Sequence, residues 1–290
     1  MKVTCYVLGE KGYSALKALQ GDSRAVIDTV VIGTDPALKD DHSKKIEAYC
    51  EASHLNATYD DVPKDSSNVL IAMGWRRLIH PLPHQQLIVL HDSLLPKYRG
   101  FNPLVTALIE GDTEIGVTAI LGAEAYDTGA IIAVEKISVT YPITIAEAIH
   151  KISQCYGTLL QHVLEKVLAD ELRAVPQDET EASYSLWRDE KDYFVQWDWP
   201  ASKIQRMIDA VGPPYDGAKT WANGKQIRLI QATAVADVSV VNRDIGKVLF
   251  KDNGKPVVVC GEGLLRLDQI AYMDFEPLVF ETLFRIRFGI

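Results

Sequence analysis

The sequence predicts an α/β protein of two domains, a parallel sheet wrapped by helices followed by a smaller, mostly β barrel-like unit. Three observations carry that reading. At 290 residues the chain is longer than a typical single domain, which holds about 100–150 residues. Up to about Asp170, continuous apolar runs alternate with stretches of helical spacing, the pattern of a sheet covered on both faces. Beyond that point short apolar stretches are broken by Asn-Gly and related turn sequences, which signal hairpins.

KVTCYVL (2–8), then GEKG and YSALKALQG, reads as strand, tight turn and helix. AVIDTVVIGT (25–34) is a second strand, and DHSKKIEAYCEAS (41–53) has helical spacing with Ser43 near its start. NVLIAMG (68–74) and QLIVLHD (86–92) are uninterrupted apolar runs, so both faces should be buried, and the crossovers between parallel strands should be right-handed. IGVTAIL (115–121) and GAIIAVEKISVT (129–140) follow as strands, with AEAYDTG as the loop between them. From Thr144 to about Asp170 one long helix is expected. Ile145, Ile149, Ile152, Tyr156, Leu159, Val163 and Val167 form its apolar stripe, which ordinary core packing explains.

The polar stretch VPQDETEASY (175–184) contains Pro176 and reads as a linker, giving a first domain over 1–185 and a second over 186–290. In the second, SKIQRMIDAV (202–211) is a short helix. Asn223-Gly224, Asp252-Asn253-Gly254 and Gly261-Glu262-Gly263 mark hairpins of a small antiparallel barrel.

Composition narrows the function. The net charge is −9, with 12 Lys+Arg against 10 Asp+Glu in residues 200–290, so that residues 1–199 carry −11. Such a balance argues against a protein whose main work is neutralising polynucleotide phosphates, and no nucleic-acid partner is expected. Cys5, Cys50, Cys155 and Cys260 are scattered, without CxxC or a neighbouring His at ligand spacing, so no metal site and no disulfide framework is expected. Buried thiols in a reducing cytoplasm fit this usage. No apolar run is long enough for a signal peptide or a membrane span.

Gly9 and Gly12 offer only a GxxG, with no acidic residue ending the second strand, and tight-turn chemistry accounts for them. The informative stretch is VLHDSLLPKYRG (89–100). His91 ends an apolar strand, and in open α/β sheets ligands bind beyond the carboxyl ends of the strands. A lone histidine there is as readily a core residue satisfied by a carbonyl. Asp127, in the loop AYDTGAII, should reach the same edge. A carboxylate beside an imidazole can orient a base and move a proton. Arg99 could engage an anion through its fork of donors, and Asn102-Pro103 reads as a helix start with proline at the first position.

HDSLLPKYRG, with Asp127-Thr128-Gly129 following 36 residues after the histidine, resembles the 10-formyltetrahydrofolate-dependent formyltransferase family, whose motif runs Asn-x-His-x-Ser-Leu-Leu-Pro with a later Asp-Thr-Gly. The match extends through GFNPLVTALIEGDTEIGVTAI and the long helix, and more loosely into WDWPASKIQRMIDAVGPPYDGAKTW. The resemblance implies a Rossmann-like catalytic domain and a small β-rich second domain. It implies 10-formyltetrahydrofolate as co-substrate, with His91 and Asp127 as the catalytic pair. Folate would sit near Gly74 and Trp75 and the loop residues Ala125 and Tyr126. Lys97, Arg99 and Asn102 would face the acceptor. The neutral second domain and the short, mixed-charge GTDPALKDDHSKK point to a nucleotide-linked amino sugar as acceptor rather than methionyl-tRNA. A formyltetrahydrofolate hydrolase and a silent folate- or nucleotide-binding module are the other readings, and a homodimer is an open assembly. One departure stands out: where the motif has asparagine two residues before the histidine, this chain has Val89.

Overall fold

The computed structural model describes residues 1–36, 38, 40–59, 67–169, 171–279 and 285–289. Its chain divides into two compact units: Met1–Leu104, Thr113–Val139 and Glu147–Trp187 in one, and Val105–Asp112, Thr140–Ala146 and Arg188–Ile290 in the other.

The first unit begins with β1 (Lys2–Val7), α1 (Gly9–Gln20), β2 (Val26–Ile32), α2 (Ser43–Ala52), β3 (Ala57–Thr58), β4 (Val69–Met73), β5 (Gln86–His91) and β6 (Arg99–Gly100). α3 (Pro103–Glu110), which passes into the second unit after Leu104, starts at Pro103, where a missing N–H costs nothing. β7 (Glu114–Leu121), β8 (Ile131–Ser138), α4 (Ile145–Leu168) and β9 (Tyr184–Ser185) follow. Seven strands form one sheet in the order β3-β2-β1-β4-β5-β7-β8. Val69, Leu70, Ile71, Ala72 and Met73 of β4 are all buried, as an apolar run without alternation requires.

The sheet is mixed rather than wholly parallel. β1 runs parallel to β2 and β4, and β4 parallel to β5, whereas β7 is antiparallel to both β5 and β8. Apolar runs do not encode direction; connection length does. Only residues 122–130 separate β7 from β8, too few for a parallel crossover of a dozen or more residues.

The second unit holds α5 (Ala201–Ala210) and β10 (Ala218–Ala222), β11 (Lys225–Val235), β12 (Val248–Asp252), β13 (Lys255–Val259) and β14 (Leu264–Ala271). The sheet order is β10-β11-β14-β13-β12. Asn223-Gly224 and Asn253-Gly254 turn the first and second hairpins, all four residues at positive φ, as two-residue hairpin loops demand. Bridges Ala222↔Phe288 and Lys247↔Arg287 place residues 287 and 288 beside both edge strands of this sheet, which partly covers those edges. Within this unit Arg206 Nε donates to the Ile109 carbonyl at 2.9 Å, and Lys203 pairs with Glu110 at 2.8 Å.

Candidate active site

His91 is the last residue of β5, paired with Thr118 of β7, and only 8% of it is exposed. Its Nδ1 lies 3.2 Å from Asp127 Oδ1, so the two residues that the motif singles out are brought together. Its Nε2 lies 2.9 Å from the carbonyl oxygen of Tyr98. A carbonyl only accepts, so Nε2 carries a hydrogen, and Nδ1 is the atom that exchanges a proton with the carboxylate. Burial pushes the imidazole below its ordinary pKa, opposed by the charge of Asp127 and the Tyr98 carbonyl, with Lys11 adding to the depression. At neutral pH the ring is therefore poised as a base.

Asp127 is held at both ends. Its Oδ2 accepts from the Gly100 N–H at 2.8 Å, and its own carbonyl accepts from Gln177 Nε2 at 2.7 Å. Its backbone is left-handed, φ 58°, which costs an L-residue about 1–2 kcal/mol. Gln177 also donates to the Gly129 carbonyl at 2.8 Å. Two such bonds, about 1 kcal/mol each net, are of the size needed to hold the loop. Gly100 must be glycine: φ is +99° and a Cβ there would lie 2.6 Å from the Ser185 carbonyl oxygen.

Arg99 does not face outward as an anion ligand. It is 1% exposed; its Nε and Nη2 donate to Gln177 Oε1 at 3.0 and 2.9 Å, and its Nη1 and Nη2 to the two oxygens of Glu179 at 2.8 and 2.7 Å. A planar fork surrounded by acceptors is spent on structure. Its partners lie in the stretch expected to be a linker. Instead Val175 bridges Ile131, and β9 pairs in parallel with β6, so residues 175–185 strap the loop that carries Asp127. No sequence signal ties residue 99 to 177 or 179.

Lys97 is exposed in the turn, its carbonyl accepting from Ser93 Oγ at 2.7 Å. Asn102 precedes α3 at φ 51° and its Nδ2 reaches the Leu186 carbonyl at 3.4 Å.

Of the residues expected to meet folate, Gly74 has φ +66° and a Cβ there would stand 2.4 Å from the Leu8 carbonyl oxygen, so glycine alone lets β4 turn past α1. Trp75 packs edge-on to Tyr6 at 5.1 Å between ring centres. With Ile79 and Val89 it covers Leu70, Ala72 and Leu87. Its indole Nε1 is buried with no protein acceptor among the described residues. The exposed loop 122–126 starts beside this patch, where the Gly122 N–H donates to the Leu87 carbonyl at 2.8 Å. Ala125 and Tyr126 lie exposed on it, Tyr126 against Phe101 at 5.6 Å. An apolar shelf with an orphaned donor suits a flat heteroaromatic ring.

Sequence reasoning also missed the group behind His91. Lys11, in the first turn of α1, pairs with Asp92, to which Tyr156 donates its phenol.

An imidazole–carboxylate pair withdrawn from water at the carboxyl edge of a helix-covered sheet, beside an apolar patch, is an arrangement that can move a proton at a ligand site of an α/β enzyme. Residues 33–164 match the formyl transferase family and residues 188–286 its C-terminal domain. The chain belongs to the formyltransferase family and is a folate-dependent one-carbon transferase. It is 32% identical over 224 residues to a methionyl-tRNA formyltransferase of Moorella thermoacetica, covering 73% of this chain and 71% of that one. It is 30% identical over 205 residues to a methionyl-tRNA formyltransferase of Clostridium novyi, covering 70% and 65%. The N-formyltransferase from Helicobacter canadensis, solved with folinic acid and dTDP-3-aminofucose, shares the fold at a TM-score of 0.69 and 15% identity, covering 92% of this chain and 98% of that one.

These relatives overturn the nucleotide-sugar acceptor expected from charge. The sequence relatives are methionyl-tRNA formyltransferases, and the likeness to a sugar-modifying enzyme is one of fold alone. The physical error was to use net charge as a test for a polynucleotide. Fields of exposed charges are screened within about 8–10 Å, so a few local cations can engage an acceptor end whatever the sum over the chain.

Proposed function

We propose that this chain transfers the formyl group of 10-formyltetrahydrofolate to the α-amine of methionyl-tRNA. The single observation that carries it is His91 Nδ1 at 3.2 Å from Asp127 Oδ1, at the sheet edge where ligands bind, in a chain whose relatives are named for that reaction.

The shelf of Trp75, Ile79 and Val89 and the loop through Ala125 and Tyr126 would hold the donor, which supplies an activated formyl group. The acceptor amine attacks the formyl carbon. With Nε2 engaged by the Tyr98 carbonyl, Asp127 Oδ1 receives the proton that the amine sheds and passes it to Nδ1 of His91, which burial keeps neutral. The bond from the formyl carbon to the folate nitrogen breaks, and the proton passes from this pair to that nitrogen, so no external reagent is consumed.

The test incubates the purified chain with 10-formyltetrahydrofolate, with and without methionyl-tRNA, and follows tetrahydrofolate release and N-formylmethionine. Release that depends on the charged tRNA and matches N-formylmethionine one for one is expected. Equal release without acceptor would replace transfer with hydrolysis, and no turnover in either arm would replace it with binding.

A further inference from the structure

Gln177 uses its whole hydrogen-bonding capacity on three neighbours. Its two amide hydrogens go to the carbonyls of Asp127 and Gly129, at 2.7 and 2.8 Å. Its two oxygen lone pairs take Arg99 Nε and Nη2, at 3.0 and 2.9 Å. A glutamine satisfied in all four directions has one orientation, because turning the amide over would face donors to a guanidinium and an acceptor to two carbonyls. Arg99 is fixed in turn by both oxygens of Glu179. The strand pairing of Arg99 and Gly100 with Tyr184 and Ser185 anchors the same segment.

The consequence falls on one carboxylate. Gly100, next to Arg99, donates its N–H to Asp127 Oδ2, and Gln177 holds the Asp127 carbonyl. Side chain and backbone of Asp127 are thus referred to one rigid body. An aspartate with left-handed backbone is free to relax toward the ordinary β or α regions once that grip is lost, and Oδ1 would then leave His91.

We propose that Gln177, oriented by Arg99 and Glu179, is a positioning residue that sets the His91–Asp127 geometry; this rests on the formyl-transfer reading of the same pair. It acts through Asp127 and touches neither substrate. A misplacement on the order of 1 Å can cost about 10²-fold in rate, which sets the expected scale.

The experiment uses Gln177→Met, close in length but without donors, measured by urea unfolding, steady-state kinetics and NMR titration of the His91 ring. The groups that act on that ring are Asp127, Lys11 and the Tyr98 carbonyl. Kcat is expected to fall by about 10–100-fold with KM for folate within about threefold. In an Asp127→Asn background the further loss should be under about twofold, because the residue being positioned is already disabled. The His91 titration should move downward in Gln177→Met, as in Asp127→Asn, since an opposite charge is withdrawn. If Gln177→Met does not fold, Gln177→Glu keeps the Arg99 partnership but places an acceptor against the two carbonyls, and the same kcat loss and non-additivity are expected. A folded variant with kcat within twofold of wild type, or a loss that adds fully to that of Asp127→Asn, would overturn the proposal. If the wild-type chain formylates nothing, the formyl-transfer reading fails, and an unmoved His91 titration in Gln177→Met would separately overturn this one.

Discussion

Lys11 reaches from the first turn of α1 to pair with Asp92, the residue that follows His91, and both side chains are largely withdrawn from water, 17% and 12% exposed. A buried cation one residue from the His91 imidazole disfavours its protonated form. Lys11→Met removes that charge and leaves Asp92 without its counterion, and both changes favour imidazolium. The acidic limb of kcat/KM should therefore move to higher pH, because the ring must be neutral to accept a proton. A pH–rate profile that stays in place or moves acidward would show that Lys11 does not act on His91.

His91→Ala and Asp127→Asn should each cut formyl transfer by about 10²-fold or more, as loss of a positioned acid–base group implies. Their unfolding midpoints should stay close to wild type. Single-turnover measurement with folate in excess checks this apart from product release. A folded variant with near-normal rate would remove that residue from the chemistry.

Val89 packs with Trp75, Tyr6 and Ile79 on the apolar patch of Leu70, Ala72 and Leu87, on the same face of β5 as His91. An amide at this position would add a donor toward the charge developing on the formyl oxygen, and losing one such donor elsewhere costs about 2.7–4 kcal/mol. Val89→Asn should raise kcat, with KM for folate rising modestly as the patch loses apolar contact. A fall in kcat with unchanged stability would show that this site is built around the valine.

Arg99→Met should destabilise the protein by about 2 kcal/mol or more, because it strands the Gln177 oxygen and the Arg99 stem is buried. Glu179 is 70% exposed on its side of the pair, so Glu179→Gln should cost under about 1 kcal/mol. Urea unfolding distinguishes a network centred on the arginine from a simple ion pair, which would make the two losses equal.

What could be read from the sequence depended on how local its cause is. β1, β4 and β5 announce themselves by apolar runs such as VLIAM, and the Asn223-Gly224 turn by its dipeptide, since both are set by neighbouring residues. The pairing of His91 with Asp127 was legible only through the motif, for no spacing rule joins a strand end to a loop 36 residues on. The direction of β7 and the strap from Val175 to Ser185 were not legible. Polar residues with a proline look alike whether they are solvated or spend their side chains on a buried arginine. Charge misled on the acceptor because it was summed over a chain while binding samples it locally.

The strap also separates two kinds of completeness. All seven strands of the large sheet lie before residue 139, yet the glutamine that grips the Asp127 loop comes almost forty residues later. During synthesis the sheet can be assembled while its chemistry is still unfinished. The late segment, joined to residues 99 and 100 across about 85 positions, contributes some of the chain's longest-range pairing, which raises contact order and slows closure. Activity would thus be the last property of the first unit to mature, and a nascent chain stopped short of Gln177 would be folded in its sheet but idle.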